Sequence, residues 1–235
     1  MPTFDDLRRA FTGRPRMAIL MSGVGSNANS LLLQRHWFPT IEIALIATDI
    51  VASGAASLGA QHGVPVVSFP GPITREHLFR EIAEVFRSHA VTGVLYCGFM
   101  RIAPAWFTEA FPGVNIHPAD LEVRGQMGLP AYRGMTALQD ALRAGEQSVA
   151  SSMHIVSLPV DAGVVLAVSS HVPTKTDDVA TLHEELKTRE HFVYPRVVAL
   201  LACDALLASQ LPLREADGDV ARAFLRLERS SDSLT

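Results

Sequence analysis

Five short apolar runs, spaced by turns and helix-length stretches, constrain this 235-residue chain more than any other feature. They are Met17–Met21, Ile41–Ala47, Val64–Ser68, Val91–Cys97 and Val114–His117. Each is too short for a buried helix and rich in Val, Ile and Leu, so each reads as a strand covered on both faces. Between them lie helical stretches: from the first glycine turn to about Arg35, over roughly Gly54–His62, over Arg75–Ala90 and over Pro104–Ala110. The third carries Leu78, Phe79, Ile82, Val85 and Phe86 at helical spacing. Strand–helix alternation of this kind predicts an α/β fold, Rossmann-like, with a mostly parallel central sheet flanked by helices. Beyond residue 150 the texture changes. Ser151–Ser157 and Val164–Val172 read as two strands joined through Asp161-Ala162-Gly163, an antiparallel addition in the C-terminal half. Thr176 or Asp177 caps a long helix from Val179 to about Glu190, continuing past Tyr194-Pro195 to Leu207. The expected organisation is a lead-in over 1–16, one domain over 17–210 and a peripheral C-terminal tail over 211–235.

The 48% hydrophobic content suffices for one substantial core, and a net charge of −4 argues against a nucleic-acid partner. No apolar run reaches the 18 residues a membrane-spanning helix needs, and the N-terminus has no apolar signal segment, so the expectation is a cytoplasmic protein with no membrane partner. Cys97 and Cys203 are too far apart for a metal or disulfide framework. No metal is expected.

Chemistry concentrates at Asn115 and His117. Residues two apart in a strand share a face, so amide and imidazole project together, and Pro118 keeps His117 out of any following helix. An amide donor beside a titratable ring suits reaction at a carbonyl. A second feature is Ser22-Gly23-Val24-Gly25-Ser26-Asn27-Ala28, a glycine turn opening a helix, where backbone N–H groups can cradle an anion. Gly23, Gly25 and Ala28 also fit the dinucleotide pattern, and Asp49 ends the second strand at the distance of a ribose-binding carboxylate. An NAD(P)-binding oxidoreductase is thus one reading. A terminal phosphate held by Gly25, Ser26 and Asn27 is the other, and a helix cap is the bland one.

Met17–Asn27, Gly98-Phe99-Met100-Arg101-Ile102, Asn115-Ile116-His117-Pro118, Val160-Asp161-Ala162-Gly163 and Arg189–Pro195 occur in an order that resembles the glycinamide ribonucleotide formyltransferases, within the folate-dependent formyltransferase superfamily. The resemblance spans roughly residues 17–203. It implies transfer of a formyl group from 10-formyltetrahydrofolate, as co-substrate, to a small-molecule amine that carries a phosphate. It further implies that Asn115 and protonated His117 stabilise the oxyanion and that Asp161 holds the imidazole and favours its charged form. Gly25, Ser26 and Asn27 would take the phosphate, with Arg75 and Lys187 as charge partners, and Glu190 would meet ribose hydroxyls or the amine. Met100, Arg101, Ile102, Ser157 and Val160 would hold the folate, and His154 would stand behind the catalytic groups or in the core. About eight extra residues around 122–128 precede Leu129-Pro130-Ala131-Tyr132-Arg133-Gly134 and bear on the amine pocket. Another small amine in secondary metabolism, a 10-formyltetrahydrofolate hydrolase and a non-catalytic folate or nucleotide sensor are the alternatives. Either a monomer or a homodimer is expected.

Overall fold

The computed structural model describes residues 1–175 and 178–202. The capping residues 176 and 177, the helix end at Leu207, Cys203 and the 211–235 tail lie outside the described residues. The elements run α1 (Phe4–Phe11), β1 (Arg16–Met21), α2 (Ser26–Leu33), β2 (Glu42–Thr48), α3 (Ala55–His62), β3 (Val66–Ser68), α4 (Arg75–Ser88), β4 (Gly93–Tyr96), α5 (Ala105–Ala110) and β5 (Gly113–His117). The second half adds α6 (Ala137–Arg143), β6 (Ser148–Val149), β7 (Ser152–Ile155), β8 (Val165–Val168), β9 (Val172–Pro173) and α7 (Val179–Ala202).

Seven strands form one sheet in the order β3-β2-β1-β4-β5-β7-β8. The first five are parallel, and β7 and β8 join antiparallel, as the change of texture after residue 150 predicts. Chain order reverses on either side of β1, so the carboxyl ends of β1 and β4 flank the crevice where open α/β sheets bind ligands. The short β6 and β9 pair with each other in a separate ribbon, and neither it nor α6 has a sequence signal strong enough to anticipate.

Alternation along the strands splits the core in two. Ile19, Leu95, Val114, Ile116 and Met153 pack under α1, α2 and α7, while Leu20, Leu45, Val94 and Tyr96 pack under α4 and α5. Asn115 and His117 therefore face away from α7. The lead-in belongs to the first layer. Thr3 and Asp6 form a reciprocal capping box at α1, and Leu7 and Phe11 are fully buried.

Helix α7 contains Pro195, which has no N–H to give the carbonyl four residues back. That carbonyl, on His191, accepts instead from Ser30 Oγ at 2.8 Å and Gln34 Nε2 at 2.9 Å, both from α2 or its end. Tyr194, fully buried, donates its hydroxyl to the carbonyls of Val114 (2.8 Å) and Tyr96 (3.1 Å). The proline thus docks α7 on α2, and the tyrosine docks it on the sheet. Both fix the height of Glu190.

The turn after β7 closes tightly. A Cβ on Gly163 would lie 1.9 Å from the Ile155 carbonyl oxygen. Gly163→Ala is expected to destabilise the protein by about 2 kcal/mol or more, because backbone and not a flexible side chain must move. Thermal unfolding checks this, with Gly13→Ala, which meets nothing within 4 Å but has φ +76°, as the reference for backbone strain alone.

Candidate active site

Strand β5 meets β7 antiparallel with Asn115 opposite His154 and His117 opposite Ser152. This register gathers polar side chains on one sheet face at the junction of the parallel and antiparallel parts. Asn115 Nδ2 lies 3.1 Å from His154 Nε2. His154 Nδ1 lies 3.0 Å from the Ile155 carbonyl, so its Nε2 is the nitrogen turned toward Asn115. The β7–β8 connection then returns Asp161, in the left-handed region at φ 52°, between the two imidazoles. Asp161 Oδ1 is 3.4 Å from His154 Nε2, and Oδ2 is 3.5 Å from His117 Nδ1 and accepts the Gly134 amide at 2.8 Å.

Burial alone would raise the Asp161 carboxyl, but the His154 hydrogen bond, the two imidazoles and the Gly134 amide outweigh it and hold the group down to about 2. It is ionised at neutral pH. Burial acts the other way on His117, which is 5% exposed: it pulls the ring below its usual value, opposed by Asp161 and reinforced by His154. The protonated form that the resemblance implies for the oxyanion step is thus opposed by burial and favoured by the Asp161 carboxylate. Its Nε2 sits 3.1 Å from the Tyr132 carbonyl, so both ring nitrogens face acceptors. A neutral imidazole satisfies one of them. Taking up a proton satisfies both, which suits a ring that accepts a proton from an attacking amine.

A second buried group lies beside it. Glu190, on α7, accepts Asn27 Nδ2 at 2.7 Å with one oxygen and Ser151 Oγ at 2.7 Å with the other. The Asn27 side-chain amide is thus taken by Glu190. Its Oδ1 is buried without a partner. Gly25 caps α2 at φ 82°, where a Cβ would meet Met21 and Leu58 side-chain atoms at 2.6 and 2.7 Å. Ser26 opens the helix. Lys187 is paired with Glu184 at 2.6 Å, and Arg75 is exposed on the first turn of α4 with no hydrogen bond to the others. Neither joins the Asn27–Glu190 group.

Met100, Arg101 and Ile102 are exposed after β4. Arg101 Nε bonds Asp49 Oδ2 at 2.9 Å, and Ser22 Oγ donates to Asp49 Oδ1 at 2.6 Å. Asp49 is thereby engaged through both oxygens by side chains of this chain. Ser157 is buried and Val160 half-buried at the two ends of the turn that carries Asp161. The extra residues around 122–128 run out to solvent, with Met127 92% exposed and Arg124 bridged to Pro130.

Sequence reasoning missed Ser151, Tyr132 and Gly134. Ser151 is a polar residue entering an apolar strand, a signal that was available. The other two act through backbone groups, which no side-chain pattern reveals. Among the described residues, no cluster of three or more His, Cys, Asp or Glu is arranged to hold a metal.

The formyl transferase family model matches residues 15–198. Phosphoribosylglycinamide formyltransferase of Mycobacterium tuberculosis (strain CDC 1551 / Oshkosh) is 31% identical over 191 residues, covering 80% of this chain and 85% of that protein. The trifunctional purine biosynthetic protein adenosine-3 of Drosophila pseudoobscura pseudoobscura is 29% identical over 88% of this chain, which spans only 15% of that longer relative. Among solved structures, phosphoribosylglycinamide formyltransferase from Bacillus halodurans superposes with a TM-score of 0.71 at 26% identity, covering 81% of this chain and 96% of that one.

Proposed function

Since the chain belongs to the formyl transferase family, we propose that it moves a formyl group from 10-formyltetrahydrofolate to the primary amine of glycinamide ribonucleotide. The observation that carries this is the buried group of Asn115, His117, His154 and Asp161, polar side chains and one ionised carboxylate on a single sheet face. The name of the mycobacterial relative supports the acceptor, because the match covers most of both chains.

In this reading the amine nitrogen bonds to the formyl carbon and the carbonyl oxygen becomes an oxyanion. Asn115 and His117 donate to it, the term that most often dominates such catalysis. His117 takes the proton released by the amine, stabilised by Asp161, and passes it to N10 as the oxyanion re-forms the carbonyl and the bond from formyl carbon to N10 breaks. Glu190 and the unpaired Asn27 Oδ1 are two acceptors side by side, suited to the hydroxyls or amine of the acceptor. Gly25 and Ser26 supply backbone N–H groups for its phosphate, with Arg75 and Lys187 as charge partners that would have to turn toward it. Met100, Arg101, Ile102, Ser157 and Val160 receive the donor. No metal enters these steps. Every group comes from one chain, so a monomer suffices and a homodimer would carry two sites. No helix of the described residues is long and apolar enough to cross a membrane, in keeping with a cytoplasmic place of work.

One assay tests the reading. The protein is mixed with 10-formyltetrahydrofolate, with and without glycinamide ribonucleotide, and tetrahydrofolate release is followed. Acceptor-dependent release is expected. Release without acceptor would identify a hydrolase, and release only with another small amine would move the acceptor. No release in any arm ends the formyl-donor reading.

A further inference from the structure

Asp49 is 4% exposed in its side chain, yet it lies where three adjacent strands end in exposed apolar residues. These are Val24 after β1, Ile50 and Val51 after β2, and Met100 and Ile102 after β4. One carboxylate oxygen takes the hydroxyl of Ser22, at the start of the glycine turn, and the other takes Arg101 Nε. Ser22 Oγ in turn accepts the Met100 amide at 3.0 Å, and the Ser22 amide donates to the Gly98 carbonyl at 3.1 Å. Gly98 turns the segment at φ +75°. A buried carboxylate thus ties the end of β1 to the segment after β4, on opposite sides of the switch-point crevice.

An exposed ion pair would carry little consequence. This one is asymmetric: the guanidinium is 47% exposed and the carboxylate almost wholly buried. Withdrawing the arginine would strand a buried charge, so Arg101 is held on Asp49 through Nε. Its two terminal nitrogens are not used in that bond, and the exposed Met100 and Ile102 flank it in the chain.

We propose that Asp49 is a positioning residue for the formyl donor: through Arg101 and Ser22 it fixes the Gly98–Ile102 segment in the conformation that receives the donor's carbonyl or carboxylate groups. This rests on the reading of Met100–Ile102 as the donor-binding segment. Asp49 touches no reacting atom, so its loss should change donor affinity and leave the chemical step and the acceptor alone.

The test uses the full chain and three variants, Asp49→Asn, Arg101→Gln and the double variant, with Ser22→Ala as a fourth that leaves the ion pair in place. Binding of tetrahydrofolate is measured by quenching of intrinsic fluorescence, and KM for each substrate and kcat by steady-state rates. Asp49→Asn keeps an acceptor for Ser22 but loses the charge that holds Arg101, and donor KM and tetrahydrofolate Kd should rise about tenfold. Acceptor KM and kcat should stay within about threefold. The double variant should bind tetrahydrofolate no more weakly than Arg101→Gln alone, since Asp49 acts through that arginine. Should Asp49→Asn not fold, Arg101→Gln, at a half-exposed position, and Ser22→Ala must still show the same split between donor and acceptor KM. Unchanged donor binding in Asp49→Asn overturns the proposal, as does an equal loss for both substrates or an additive double variant. Failure of the unaltered chain to bind tetrahydrofolate would instead remove the donor reading itself.

Discussion

Replacing His117 by alanine is expected to lower turnover at least about 10²-fold while both substrates still bind. The ring is the one group in the site that reaches both a carboxylate and a loop carbonyl, 3.5 Å from Asp161 and 3.1 Å from Tyr132. Its loss removes an oxyanion donor and the acceptor of the amine proton together. The pH profile gives a second reading. Burial pulls the ring below the ordinary imidazole value of 6.5, so its neutral form is complete above that value and is lost as pH falls through the ring's own lower value. The acid limb of kcat in the unaltered protein should therefore fall below pH 6.5, and it should be absent from the residual rate of His117→Ala. Near-normal turnover in the variant would take the ring out of the mechanism.

Asp161→Asn is expected to cost about 10²–10⁴ in kcat, the range seen for groups that govern proton transfer. The amide keeps the size of the side chain and can still accept the Gly134 amide. What it cannot do is offset the burial of His117, so the ring becomes harder to protonate when the amine gives up its proton. A stability signature accompanies the rate. The carboxyl drops from 3.8 to about 2 on folding, which at 1.36 kcal/mol per unit stabilises the protein by about 2 kcal/mol. The sign follows from the lowered value: the contribution is complete above pH 3.8 and is lost as pH falls through about 2. Urea unfolding of the protein and the variant should therefore differ by about that much at pH 5 and converge toward pH 2. A gap that does not narrow with acid would mean that the Asp161 charge is not what stabilises this corner.

The sheet was legible because its strands are buried on both faces, and burial writes itself as continuous Val, Ile and Leu. Asn115 and His117 were legible because a period of two puts them on one face whatever surrounds them. The antiparallel turn was legible from Asp161-Ala162-Gly163, where Gly163 approaches the Ile155 carbonyl too closely for any side chain. Helix α6 was not. It is seven residues long with no side-chain cap, and it holds its place by packing with Leu182 and Leu186 of α7. The partners of Asp49 were not legible for a different reason. A carboxylate at the end of a second strand fits two folds equally well in one dimension, and only the arginine 52 residues later says that its oxygens are taken. The burial of His117 was not legible either, because sequence supplies its neighbour but not its surroundings.

The register of β5 against β7 has a consequence for biogenesis. Asn115 and His117 precede His154, Asp161 and Glu190 by at least 37 residues, and the Asn115–His154 and His117–Asp161 contacts both cross that gap. A nascent chain can complete β1 to β5 while its two most reactive side chains have no partners at all. The buried polar group thus assembles late in synthesis, when α7 brings Glu190 beside Ser151.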